Sequence, residues 1–160
     1  MYTLFPVEPL FPEGFVYYPD FISEKEEMDL YREISKVELH TFSFQGYEAK
    51  RNVASFGHDW NFEKKSLSKG TEIPAGFHFL LKKIAGHLVR NETDFAELLV
   101  TEYPVGSVIN WHRDAPPFDL IAGISLLSDC MFRLRPYDKA KQNRASVISF
   151  PVKRCSLYVM

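Results

Sequence analysis

His112, Arg113 and Asp114 stand together in the stretch VINWHRDAP. In an extended strand, residues two apart project from the same face. The His112 imidazole and the Asp114 carboxylate would then point one way and Arg113 the other. One imidazole and one carboxylate are two of the three protein donors of the facial triad that holds non-haem Fe(II), a site with open positions for a cosubstrate and oxygen. The same spacing also describes an ordinary polar pair on an edge strand, so by itself it leaves both readings open.

Other residue types carry weaker signals. Lys50 and Arg51 lie close in sequence to Phe56, His58 and Trp60. Cations interleaved with aromatics can hold a phosphate and stack a base, and they also occur on plain surface strands. Arg133 and Arg135 alternate with Phe132 and Leu134, which puts both guanidinium groups on one side, toward a phosphate, a carboxylate or water. Cys130 and Cys155 lack C-x-x-C spacing and read as buried thiols. His58, His78 and His87 read as surface or capping residues, and Trp111 as core on the sheet face opposite His112.

The elements that must position these residues follow from periodicity and turn chemistry. Three prolines (Pro6, Pro9, Pro12) give an extended start, and Phe15–Tyr17 reads as a short strand. Ser23 followed by Glu26 is a capping box at the mouth of a helix, with Tyr31, Ile34 and Val37 expected on its apolar face. Residues 47–56 read as strand and 59–70 as a charged loop. Pro74 opens a second helix whose Phe77, Leu80, Leu81, Ile84 and Leu88 share one face. Strands are then expected at 98–103, 108–114, 121–127, 131–135, 145–150 and 156–160, with a polar connection over 137–143. Two helices followed by a run of strands predict an α+β fold with an antiparallel core.

The 160 residues fit one domain, 1–160, with 46% hydrophobic and 25% charged residues. Aromatics reach 15%, which favours β-rich packing. No apolar run is long enough for a membrane helix, and the N-terminal MYTLFPVEPLFPEGF has neither the basic segment nor the apolar core of a signal peptide. Two cysteines make no disulfide framework, so a cytoplasmic, membrane-free and monomeric protein is expected. The net charge is −2, unevenly spread. Residues 131–160 hold seven basic residues and only Asp138 as an acid, against twelve basic and twenty acidic before them. A basic segment on an acidic body suits an anionic partner or a solvated hairpin.

The stretch TEYPVGSVINWHRD resembles the N-x-Y-x-P-G-x-x-I-x-x-H-x-D segment of the AlkB-like Fe(II)/2-oxoglutarate dioxygenases. KRNVASFG and DLIAGISLLSDCMFRLR are similar to the segments on either side, so the resemblance runs from about residue 10 to 160. It implies a double-stranded β-helix, or jelly roll, with the two N-terminal helices packed on one sheet. It implies His112 and Asp114 as iron ligands, Tyr103 with its hydroxyl on the 2-oxoglutarate carboxylate, and Thr101 in the position of a cosubstrate-binding asparagine. Lys50, Arg51, Phe56, His58, Trp60, Arg133 and Arg135 become candidate substrate contacts. The implied reaction uses O2 to convert 2-oxoglutarate to succinate and CO2 while hydroxylating an N-alkyl group, which then leaves as formaldehyde. An alkylated nucleic-acid base or nucleotide is one implied substrate, and a protein side chain or a small molecule are the others.

The sequence departs from the family pattern in three places. No histidine follows His112, so the family's third iron ligand and its later arginine segment have no counterpart, and the closing strands are expected to be missing. Thr101 replaces the asparagine, and Pro116 stands where DNA-repair members carry an acid. Two donors bind iron weakly, so little or no turnover is expected of the 160 residues as they stand. The alternative reading is a non-catalytic jelly-roll binding module, a relic of the family.

Overall fold

A computed structural model describes residues 11–44 and 46–160. Among them, two α-helices and nine strands are present, and every strand pairing is antiparallel, as the α+β reading predicts. The described residues form two compact units, 11–27 with 120–160, and those between 28 and 119.

In the first unit, β1 (Val16–Tyr18) and β6 (Ala122–Ile124) flank β9 (Leu157–Val159). A separate ladder joins β7 (Cys130–Leu134) to β8 (Ile148–Val152). Phe15, Phe150 and Val152 form the core, and Phe11, Tyr17, Phe132, Leu134, Ile148 and Tyr158 pack around them. The high aromatic content is spent here. Phe11 meets Phe150 edge-on at 4.7 Å, and Phe15 stacks on Tyr158 at 6.3 Å.

α1 (Glu24–Ile34) begins in this unit with the predicted capping box. The Glu26 amide donates to Ser23 Oγ at 3.1 Å and the Ser23 amide to Glu26 Oε2 at 2.8 Å. Its apolar face differs from expectation. Tyr31 is exposed, and the buried positions are Glu27 and Leu30.

In the second unit the spine is β3 (Tyr47–Asn61). It pairs with β2 (His40–Phe44), then with β5 (Glu97–Glu102), and at its end with β4 (Ser66–Lys69). The charged loop expected over 59–70 is therefore the β3–β4 hairpin. Gly57 is where the strand changes partner. Its φ is +85°, its amide donates to Thr71 O and the His58 amide to Ala96 O. A Cβ at Gly57 would collide with that Ala96 carbonyl. Glycine here acts as a bulge that lets one strand serve two neighbours, rather than as a stop. α2 (His78–Leu88), led in by a 3-10 turn at Ala75–Phe77, buries Leu80, Leu81 and Ile84 as its periodicity predicts, with Phe77 buried in the lead-in turn; Ala85 is buried in addition, and Leu88 is only half-buried. No helix among the described residues is long and apolar enough to cross a membrane.

Candidate functional site

β5 carries Thr101 opposite Val53 of β3 and delivers the chain to Tyr103, which is 54% exposed. Pro104–Ser107 then turns the chain, with the Ser107 amide donating to Pro104 O at 2.9 Å and Gly106 at φ +81°. That is the glycine position of a type II turn. Beyond it the structure corrects the sequence reading: residues 108–114 form no strand. Side chains rather than a ladder hold this segment. Ser107 Oγ donates to Lys50 O of β3 at 2.7 Å, and His112 Nδ1 lies 2.7 Å from Asn110 O. Trp111, expected in the core, is exposed, and so are Val105, Val108 and Ile109.

His112 and Asp114 nevertheless face each other. His112 Nε2 and Asp114 Oδ1 are 3.5 Å apart. The hydrogen bond with Asp114 raises the imidazole pKa above its ordinary value, partial burial opposes it, the Asn110 carbonyl adds to the rise, and the charge of Arg51 works against it. With Nδ1–H donating to a backbone carbonyl, the bond to Asp114 belongs to the protonated ring, and in the neutral ring the Nε2 lone pair lies on the Asp114 side, free to ligate a metal. Two donors sharing one ion at about 2.0–2.2 Å stand roughly 3 Å apart, so this pair fits two positions of an iron site. The third position is not met: no group of three His, Cys, Asp or Glu able to hold a metal occurs among the described residues. The residues present therefore do not make a complete triad.

β3 carries Lys50, Arg51, Phe56, His58 and Trp60. Arg51 lies over the Phe42 ring at 4.3 Å, and its buried Nε has no hydrogen-bond partner. A buried donor without an acceptor is costly, and an anionic ligand would satisfy it. Phe56 lies 6.5 Å from Phe77, Trp60 meets Phe62 edge-on at 6.4 Å, and His58 Nδ1 lies 3.3 Å from Ala96 O. Of the candidates, His112 and Asp114 meet, the charge of Arg51 acts on His112, and Ser107 anchors the chain ahead of them to the Lys50 carbonyl. Arg133 on β7 and Arg135 just beyond it belong to the first unit and alternate with the half-buried Phe132 and Leu134, as their spacing predicts. Cys155 is buried, but Cys130, the first residue of β7, is exposed, against expectation.

Sequence reasoning missed one charged network. Glu27, fully buried, accepts from the Leu127 amide at 2.7 Å and from the Arg154 guanidinium. Burial alone would push this carboxyl up. The bonds from Leu127, Arg154 and the Cys155 thiol outweigh it and hold Glu27 below its usual range. The available signal was an acid at the helical spacing of Leu30 and Ile34.

Comparison with known proteins adds two findings. A model of the 2OG-Fe(II) oxygenase superfamily matches residues 14–160. The solved structure of OsALKBH1 matches with a TM-score of 0.67 at 15% identity, covering 97% of this chain and 82% of that one. It supports the jelly-roll architecture. No curated protein matches this sequence.

Proposed function

The chain belongs to the 2OG-Fe(II) oxygenase superfamily, and from that premise we propose that His112 and Asp114 are its iron donors and that it removes an N-alkyl group from a nucleic-acid base or nucleotide. Residues 1–160 act as one oxygenase domain on this reading, and the setting is a reducing cytoplasm. The observation that supports it is the convergence of His112 Nε2 and Asp114 Oδ1 at 3.5 Å within the matched segment. Fe(II), 2-oxoglutarate and O2 are the reagents of the family, and when bound they supply the oxidant.

The chain's own residues would position what reacts. The hydroxyls of Tyr103 and Thr101 take the cosubstrate carboxylates. Arg51, with Nε in want of an acceptor, and Lys50 hold an anionic part of the substrate, and the aromatics of β3 cover it. A second reading, a jelly roll that binds without turnover, draws on the donor count of two.

The test supplies Fe(II), ascorbate, 2-oxoglutarate and an N-methylated oligonucleotide and follows succinate and formaldehyde. Formaldehyde rising with succinate supports dealkylation. Oligonucleotide binding with no succinate supports the second reading. In the same assay system, Tyr103→Phe is expected to weaken 2-oxoglutarate binding by about 0.5–1.5 kcal/mol, one hydrogen bond's worth. Unchanged affinity by calorimetry rejects that role for the hydroxyl.

A further inference from the structure

The connection between β7 and β8 is stabilised without its cations. Asp138 accepts from the Ala140 amide at 3.0 Å and caps the 3-10 turn Lys139–Lys141. Gln142 Nε2 reaches back to Pro136 O at 2.9 Å and Tyr137 O at 3.3 Å. Asn143 and Ser146 close a reciprocal capping box over the turn Arg144–Ser146, at 2.9 and 3.0 Å. The carboxylate, amide and hydroxyl side chains from Asp138 to Ser146 are thus engaged with the loop's own backbone. Lys139, Lys141 and Arg144 remain exposed, and none is in an ion pair among the described residues. Three cations within six residues repel one another, and Asp138 is the only acid between residues 131 and 160. A polyanion relieves that repulsion.

We propose that this loop is a contact surface for the phosphate backbone of a nucleic-acid strand, a reading that takes the substrate class from the function proposed above. Tyr137, 74% exposed, adds an aromatic face beside the cations. An anionic membrane is the poorer occupant. Between 136 and 146 the loop has no aliphatic residue beyond Pro136, Ala140 and Ala145 to insert, and three cations alone make a weak membrane anchor.

The test is fluorescence anisotropy of the 160-residue protein with a fluorescein-labelled single-stranded 20-mer from 50 to 200 mM salt. Each phosphate contact on a single strand contributes about 0.7 to the slope of log affinity against log salt. Lys139→Gln/Lys141→Gln/Arg144→Gln is therefore expected to weaken binding and flatten the slope by about 2. Over that fourfold salt range, the unaltered protein should lose roughly 16-fold more affinity than the variant. Lys65→Gln/Lys82→Gln/Arg90→Gln, all exposed and equal in charge lost, should leave the slope in place. Equal flattening in both variants, or no change in either, overturns the proposal. So does loop-dependent binding to phosphatidylserine vesicles with oligonucleotide binding unaltered. Loop-dependent oligonucleotide binding without dealkylation leaves this surface standing and removes the enzymatic reading; dealkylation with an unaltered salt slope does the reverse.

Discussion

Glu27→Ala is expected to destabilise the protein by about 3 kcal/mol, the low end of the cost of breaking a buried ion pair, because the guanidinium left behind keeps access to water. The carboxylate meets three groups at once. It takes the Leu127 amide, the Arg154 guanidinium and the Cys155 thiol. Leu127 and Cys155 both adopt left-handed backbone, at φ +67° and +64°, where non-glycine residues are strained. Removing Glu27 leaves the Leu127 amide without this acceptor and releases two strained corners. At 2–4 °C per kcal/mol for a chain of this size, the melting temperature should fall by roughly 6–12 °C. Glu27→Gln, which can still accept from Leu127, should fall less. The pH dependence follows from the lowered pKa: this stabilisation is present above about pH 4.5, the ordinary value, and is lost as pH falls through the lower folded value. A Glu27→Ala melt indistinguishable from the unaltered protein would reject the clasp.

The second large effect concerns the metal site. With only two candidate protein donors meeting among the described residues, free imidazole is expected to act as a third donor. At millimolar imidazole, Fe(II) affinity measured anaerobically should rise about tenfold or more, equivalent to roughly 1.4 kcal/mol. In His112→Ala the imidazole-free affinity should collapse, while the melting temperature stays within a degree or two, because His112 is half-exposed in a loop. Imidazole that lowers iron retention, as a simple competitor would, contradicts the two-donor description.

The sequence showed the local devices well. The Ser23–Glu26 capping box, the α2 stripe and the strands expected at 98–103, 131–135 and 156–160 are short-range patterns, and hydrogen bonds or burial realise each of them. What it hid depends on contacts distant in the chain. The strand expected over 47–56 runs on through Gly57 to Asn61, because β4 and β5 both dock on β3. Residues 108–114 alternate like a strand, yet Ser107 and His112 bond to carbonyls of Lys50 and Asn110 in place of a neighbouring ladder. The convergence of His112 and Asp114 thus comes about in irregular backbone after a bend at Trp111 rather than by strand parity. Glu27 looks like a dipole-facing surface acid because its partner Arg154 lies 127 residues away. The loop cations were visible as charge, but not that the loop folds without them.

The central claim is that His112 and Asp114 hold the metal of a 2OG-Fe(II) oxygenase. Anaerobic equilibrium dialysis with Fe(II) and 2-oxoglutarate tests it most directly, on the unaltered chain, His112→Ala and Asp114→Ala. The account predicts one iron per unaltered chain at modest affinity. Each substitution should weaken binding by more than about a hundredfold, beyond what loss of an outer-shell partner costs. Iron retained equally by all three proteins would place the metal elsewhere and contradict the account.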